Sequence, residues 1–260
     1  MKRIHFFEIE DQPWCPDAVR RGVTDILQFT ANASKGFSAI VPLLQEAMLK
    51  TNTNNILDLC TGGGGPWLSL APALKTEKLQ PKIQLSDLYP NKEGCSYTIN
   101  NSKAEITYLN ESIDALNVPK EHEGLRTIFN GFHHFREKDA VAILSDAVQN
   151  KVPIAIFDGD PNRLVGCLLV VFFFLPLFLM MPFVRPFSWS RLFFTYIIPF
   201  VPLVVLFDGI VSMLRVYSPE ELHELVKKTD DSSTYDWQIG VKPIPKSPLG
   251  ISYLVGIPKK

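Results

Sequence analysis

Residues 56–70, Ile-Leu-Asp-Leu-Cys-Thr-Gly-Gly-Gly-Gly-Pro-Trp-Leu-Ser-Leu, constrain the fold of this chain more than any other stretch. A short apolar run meets a block of glycines and an amphipathic pattern begins, which predicts a strand, a tight turn and a helix. Glycine enters φ > 0 without steric cost and lets backbone approach a ligand closely. The free N–H groups at the start of the next helix then face anionic or polar ligand atoms. The unit therefore predicts a nucleotide-like ligand. A dinucleotide fingerprint, G-x-G-x-x-G, would begin at Gly62 and Gly64 and need its last glycine where Trp67 stands. An indole there would hold helix and strand apart, which weakens the dinucleotide reading.

With Asp58 ahead of a glycine turn, the stretch resembles motif I of the class I S-adenosylmethionine-dependent methyltransferases. Gly62 and Gly64 match the second and third glycines of that motif, and Cys60 replaces the first. The resemblance implies an α/β, Rossmann-like fold: a seven-stranded, mostly parallel sheet that ends in an antiparallel pair. It also implies S-adenosylmethionine as cofactor and methyl transfer as activity. Gly62, Gly64, Thr61 and the backbone around Cys60 would hold the methionine part, with Asp58 orienting the turn or the methionine amino group. Asp87, with Leu88, matches the acidic strand end that accepts the ribose hydroxyls, as in nucleotide folds generally. Asp114 resembles the residue that accepts from the adenine amino group, with the backbone of Ala115 facing the ring; a solvated loop acid is the alternative. The interval from Asp58 to Asp87 is longer than usual for the family, and Thr76–Lys82 reads as the loop that absorbs the difference.

The rest of the chain follows in order. Asp17–Phe29 and Phe37–Met48 carry apolar residues at helical period and predict an N-terminal cap, preceded by Glu8-Ile-Glu-Asp-Gln-Pro-Trp14. Strands are expected at Ile83–Leu85, Ile106–Leu109, Leu125–Phe135 and Pro153–Phe157, with an amphipathic helix at Lys138–Gln149. Alternating strands and helices predict a parallel sheet. In open α/β sheets ligands sit beyond the carboxyl ends of the strands, so Asn130, His133 and His134 are expected to face the cofactor's methyl group. Adjacent residues alternate faces on an extended chain, so at most one histidine points inward. A neutral imidazole suits deprotonation of an alcohol, enol or phenol acceptor. No third His or Cys lies at useful spacing, so no metal is expected.

Ser218-Pro-Glu-Glu opens a well-signalled helix that ends on Lys227 and Lys228. Tyr235–Val241 and Ile251–Ile257 are the closing strands. Net charge is −1, which argues against a nucleic-acid partner. The four cysteines show no metal-like or disulfide-like spacing and fit a reducing cytosolic setting.

Mean hydropathy is +0.08 with 18 phenylalanines. The excess is concentrated: no charge occurs from Leu164 to Val184, nor from Leu192 to Phe207. Both flanks of residues 162–217 belong to one domain, so any crossing of a bilayer must occur an even number of times. The first block reaches the roughly 20 residues a span needs, the second is short, and prolines interrupt both. Kinked helices lying in one leaflet fit better, with Arg185 and Arg191 at headgroup level and Phe187 and Trp189 in the interface. A spanning hairpin, a dimer interface and a water-excluding lid are the rivals. Arg163 and Arg215 guard the outer ends, and Arg215 with Tyr217 is placed to hold a substrate headgroup.

The expected organisation is a cap at 1–50, a cofactor-binding core at 51–161, a membrane-associating insertion at 162–217, with 164–214 on the membrane, and core-completing elements at 218–260. The preferred reading is methyl transfer to an apolar or lipid-like small molecule at the cytoplasmic face of a membrane; oligomer formation is compatible with it. The alternative is a catalytically silent, membrane-attached assembly or binding protein. Absence of an Asn-Pro-Pro-Tyr tetrapeptide leaves the acceptor atom open.

Overall fold

A computed structural model describes residues 2–77, 79–89 and 91–259; Lys78, in the expected Thr76–Lys82 loop, lies outside them. Strands β1 (Asn55–Leu59), β2 (Lys82–Leu85), β3 (Glu105–Tyr108), β4 (Leu125–Phe129) and β5 (Ile154–Asp158) run parallel. With β6 (Tyr235–Pro243) and β7 (Gly250–Pro258) they form one sheet in the order β3-β2-β1-β4-β5-β7-β6. β7 is antiparallel to both its neighbours, as the resemblance implies. Strand order reverses between β1 and β4, so a crevice opens at their carboxyl ends.

Successive strand residues feed opposite faces. Ile56 and Ile83 pack under α2 (Val41–Thr51) and α3 (Trp67–Leu74), through Leu44, Met48, Leu70 and Leu74. Leu57, Ile128 and Ile156 pack under α5 (Glu137–Gln149) and α9 (Pro219–Lys228), through Ile143, Leu144, Leu222 and Leu225. Each fully buried aliphatic side chain contributes about 1.5–3 kcal/mol against the cost of ordering the chain. A capping box starts α9: Ser218 Oγ accepts from Glu221 N–H, and the Glu221 carboxylate accepts from Ser218 N–H at 2.8 Å.

One expectation needs correction, and one helix was not foreseen. Phe37–Met48 is not one helix: Gly36–Ile40 is a 3-10 turn, and α2 restarts with Pro42 in its first turn, where no backbone N–H is needed. The helix α4 (Lys92–Asn101) has no apolar stripe to announce it, because Gly94, Cys95 and Thr98 are its buried residues.

The insertion forms α6 (Arg163–Met180), α7 (Trp189–Tyr196) and α8 (Phe200–Arg215), with an 81° bend between the last two. Its inner side shares a third core with α1 (Asp17–Ser34), in which Leu177, Met181, Val184, Val201 and Val204 meet Val19, Val23 and Ile26. The helix Arg163–Phe183 is long and apolar enough to cross a membrane, and only 17% of its most apolar stretch is buried. The arginines depart from expectation. Arg191 is buried and donates to Asp25 Oδ2 at 2.7 Å and to the carbonyls of Val184 and Pro186 at 2.8 Å, so it faces the core rather than a headgroup layer. Burial makes an unpaired guanidinium too costly, and the α1 carboxylate supplies its partner. Arg163 likewise turns inward, to Glu221 and to the carbonyl of Val216. Arg185 stays exposed beside Phe187 and Trp189, which are 50% and 77% exposed.

Candidate cofactor and active site

The turn after β1 takes up the conformations its glycines allow: φ is +57° at Cys60, +56° at Gly62, +109° at Gly64 and +55° at Gly65. Cys60 thus occupies a left-handed position that favours glycine. Asp58 does not face the ligand side. Its Oδ2 accepts from Trp67 Nε1 at 2.8 Å and its Oδ1 from Thr127 Oγ1 at 2.7 Å, which ties strand, turn and helix together. Burial pushes the Asp58 carboxyl up to about 6 against the pull of those hydrogen bonds. Trp67, fully buried, packs edge-on to Phe129 with ring centroids 5.3 Å apart.

Asp87, two residues past β2, accepts from Gly62 N–H at 2.7 Å through Oδ2 and from Tyr89 N–H at 2.8 Å through Oδ1. The acid and the glycine turn therefore form one unit. Burial raises the Asp87 carboxyl, opposed by these backbone donors.

A cavity of about 670 Å³ opens over this unit, within the usual size of a small-molecule site. Of the residues expected from the sequence, Cys60, Thr61, Gly62, Asp87, Leu88, Asn130 and His134 line it. Asp58, Gly64, Asp114, Ala115 and His133 do not. Gly64 instead packs on α4, where an added Cβ would lie 2.3 Å from Thr98 Oγ1. Ala115 is buried in the core, and Asp114 is exposed, accepting from Leu116 N–H at 2.9 Å in its own loop. That loop is nevertheless tied to the site, since Ile113 N–H donates to Asp87 O at 3.0 Å. A smaller hollow of about 310 Å³ lies at the opposite, amino ends of β1 and β2.

The N-terminal segment closes the cavity with residues that sequence reasoning missed. Thr24 and Gln28 of α1, Arg20 and Arg21, and the acids Glu10 and Asp11 all line it. Thr24 and Gln28 lie one turn apart on a helix of mixed polar and apolar residues, a weak sign of a polar face turned inward. The acid-rich Glu8-Ile-Glu-Asp run was the other signal.

The histidines are not on extended chain. Phe132–His134 is a 3-10 turn, and the two imidazoles stack with centroids 4.4 Å apart instead of taking opposite faces. Only His134 reaches the cavity. His133 is buried, donating its N–H to Asp158 Oδ2 at 2.8 Å, with Nδ1 2.7 Å from Asp158 Oδ1. His134 Nδ1 lies 2.8 Å from Asp11 Oδ1. Burial opposes the charged form of His134, but Glu8 and Asp11 outweigh it and raise its pKa to about 10. With its proton held by these carboxylates, His134 presents a donor rather than a base to the cavity, and His133 lies outside the cavity lining. Arg215 is also occupied internally, with Nη1 at 2.9 Å from Glu8 and 3.1 Å from Asp11. Tyr217 is buried and donates to Phe135 O at 3.0 Å. Neither is free to hold a substrate headgroup.

No protein-family description and no curated sequence matches the chain. Solved structures do. The plantazolicin methyltransferase BpumL in complex with SAH is similar over 96% of this chain and 94% of its own, with a TM-score of 0.59 at 12% identity. BpumL with a monoazolic desmethylPZN analog and SAH gives 0.52 at 11% identity, over 93% and 96% of the two chains. The methyltransferase domain of bacterial CtHen1 gives 0.50 at 12% identity, over 85% and 97%. The likeness is one of fold: a methyltransferase-type sheet with its crevice at the carboxyl ends of the strands.

Proposed function

We propose that this chain is an S-adenosylmethionine-dependent methyltransferase that acts on an apolar acceptor at a membrane surface. The observation that carries the cofactor is the joined unit of glycine turn and Asp87 under a cavity at the sheet's switch point. Gly62 and the backbone of Cys60 and Thr61 would hold the methionine part. Asp87 would take the ribose, because each carboxylate oxygen, although already bonded to a backbone N–H, keeps further acceptor capacity. BpumL, similar in fold, was crystallised with SAH. Methyl transfer from a sulfonium asks the protein mainly to align the acceptor and exclude water. The N-terminal segment, folded across the cavity, supplies that cover.

The membrane part rests on the outer face of α6. Leu175 and Leu179 are 73% and 77% exposed, and Phe172 and Phe183 are bare beside them. Contiguous apolar surface of this kind marks an interaction site. A leaflet-embedded arrangement is supported over a spanning hairpin by the tip of the insertion. Arg191, just past that tip, is bonded to Asp25 of the globular domain, whereas a spanning tip would stand about 30 Å away across the hydrocarbon core. The four free cysteines fit a cytoplasmic face.

Isothermal titration of the full chain with S-adenosylmethionine, with NADH as control, tests the cofactor. Binding of the former alone is expected, and Asp87→Asn is expected to weaken it about tenfold or more. No binding would overturn the reading. Incorporation of labelled methyl into a lipid extract tests the acceptor, and binding without turnover would favour a silent assembly protein instead.

A further inference from the structure

A group of ionisable side chains lies where the N-terminal segment meets the turn after β4. Glu8, fully buried, comes within reach of both histidines: its carboxylate is 3.7 Å from His133 Nε2 and 3.6 Å from His134 Nδ1. One ligating atom from each of the three residues falls within 4.8 Å of the others. Glu8 Oε1 is held by Arg215 at 2.9 Å and Ser212 Oγ at 3.1 Å. Glu8 Oε2 and His133 Nε2, both buried, have no hydrogen-bond partner among the described residues. Leaving two such atoms unpaired in the interior costs on the order of 1–3 kcal/mol each.

The separations distinguish two ways of filling that space. They exceed hydrogen-bond length. They match the edge of a coordination polyhedron, since ligands about 2.1 Å from a tetrahedral metal lie roughly 3.4 Å apart. The surroundings are those of ligands already oriented. Asp158 lies against Nδ1 of His133, which leaves Nε2 as the lone-pair atom aimed at Glu8, the carboxylate–histidine arrangement found behind metal-bound imidazoles. His134 is held differently, since the nitrogen that lies 2.8 Å from Asp11, Nδ1, is also the one nearest Glu8.

We infer that Glu8, His133 and His134 form a binding site for one divalent transition-metal ion at the floor of the cavity. Two imidazoles and a carboxylate suit an ion such as Zn²⁺ or Mn²⁺. The sequence hid the site because Glu8 is separated from the histidines by the whole first half of the sheet. His134 borders the cavity, so the ion faces it. Resting on the methyltransferase reading, the ion would displace the proton from His134 as it binds, take up an acceptor oxygen and lower that oxygen's pKa.

The test uses the full chain in detergent, stripped with a chelator and titrated with Zn²⁺ alone and with Co²⁺ alone. One ion per chain is expected, with visible ligand-field absorption for Co²⁺ and a higher Tm in Zn²⁺. Glu8→Gln and His133→Ala are expected to lose these signals, and Asp158→Asn to weaken binding by about 10–100-fold as an outer partner. Wild-type protein that shows neither absorption nor a Tm shift at micromolar ion overturns the inference without reference to any variant. So does unchanged affinity in a Glu8→Gln protein that unfolds cooperatively. These readouts need no S-adenosylmethionine, so failure of the cofactor titration leaves them standing, and their failure leaves the cofactor titration intact.

Discussion

Gly64 sits at φ +109°, and a methyl group added there would meet Thr98 Oγ1 at 2.3 Å. Gly64→Ala is expected to lower stability by about 1–3 kcal/mol from backbone strain alone, seen as a lower Tm, and to weaken S-adenosylmethionine binding as the turn shifts. Asp58 predicts a contrast between two substitutions. Asp58→Asn keeps an acceptor for Trp67 and removes a charge that burial disfavours, so its urea midpoint should stay near wild type. Asp58→Ala strands the indole N–H and should cost about 1–3 kcal/mol. At this scale the sequence was legible where chemistry is local. Asp58, the glycines and Asp87 lie around two neighbouring strand ends, and a resemblance could carry them. Glu8 and Asp11 were not legible, because what they touch, His134 and Arg215, is brought to them only by the finished fold.

Among the elements, α1 carries the most informative test. Its Asp25 is the partner of buried Arg191 in the insertion, and burial pushes the Asp25 carboxyl up to about 6 while Arg191 pulls it down. Arg191→Met removes that pull and leaves a buried acid, at a cost of about 3–5 kcal/mol near neutral pH. The sign follows from proton binding. An acid whose folded pKa lies above its unfolded value of about 3.9 binds more protons when folded, so stability falls as pH rises through that window. In the variant the window extends upward, and the deficit against wild type should grow from about pH 5.5 to about pH 8 in urea titrations. Elements with a clean signal were read correctly: α9 from its Ser-Pro-Glu-Glu opening and closing lysines, α3 from its position after the glycines. The helix α4 was not, since a helix that buries glycine, cysteine and threonine shows no hydrophobic period. The apolar blocks announced themselves as an insertion, but the inward turn of Arg191 depended on a carboxylate far away in sequence.

For the whole molecule, the membrane proposal is better tested by charge than by deletion. Removing 164–214 would strip Val19, Val23 and Ile26 of their partners and unfold more than the insertion. Leu175→Asp with Leu179→Asp, both on the bare face of α6, should instead shift the protein out of floating liposomes while leaving S-adenosylmethionine affinity, measured for both proteins in detergent without lipid, within about twofold. Unchanged flotation would remove the membrane reading and favour a protein partner for that face.

The helix α1 has one side in the core shared with the insertion and another, Thr24 and Gln28, on the wall of the cavity. It is a common beam under two loads. Any rearrangement of the insertion that moves α1 changes the cavity, and any ligand that fixes α1 from the cavity side acts back on the insertion with the same coupling free energy. If the insertion sits on a bilayer as proposed, its lipid contacts would be felt as a change in cofactor affinity, and the hold on the bilayer would depend on whether the cofactor is in place.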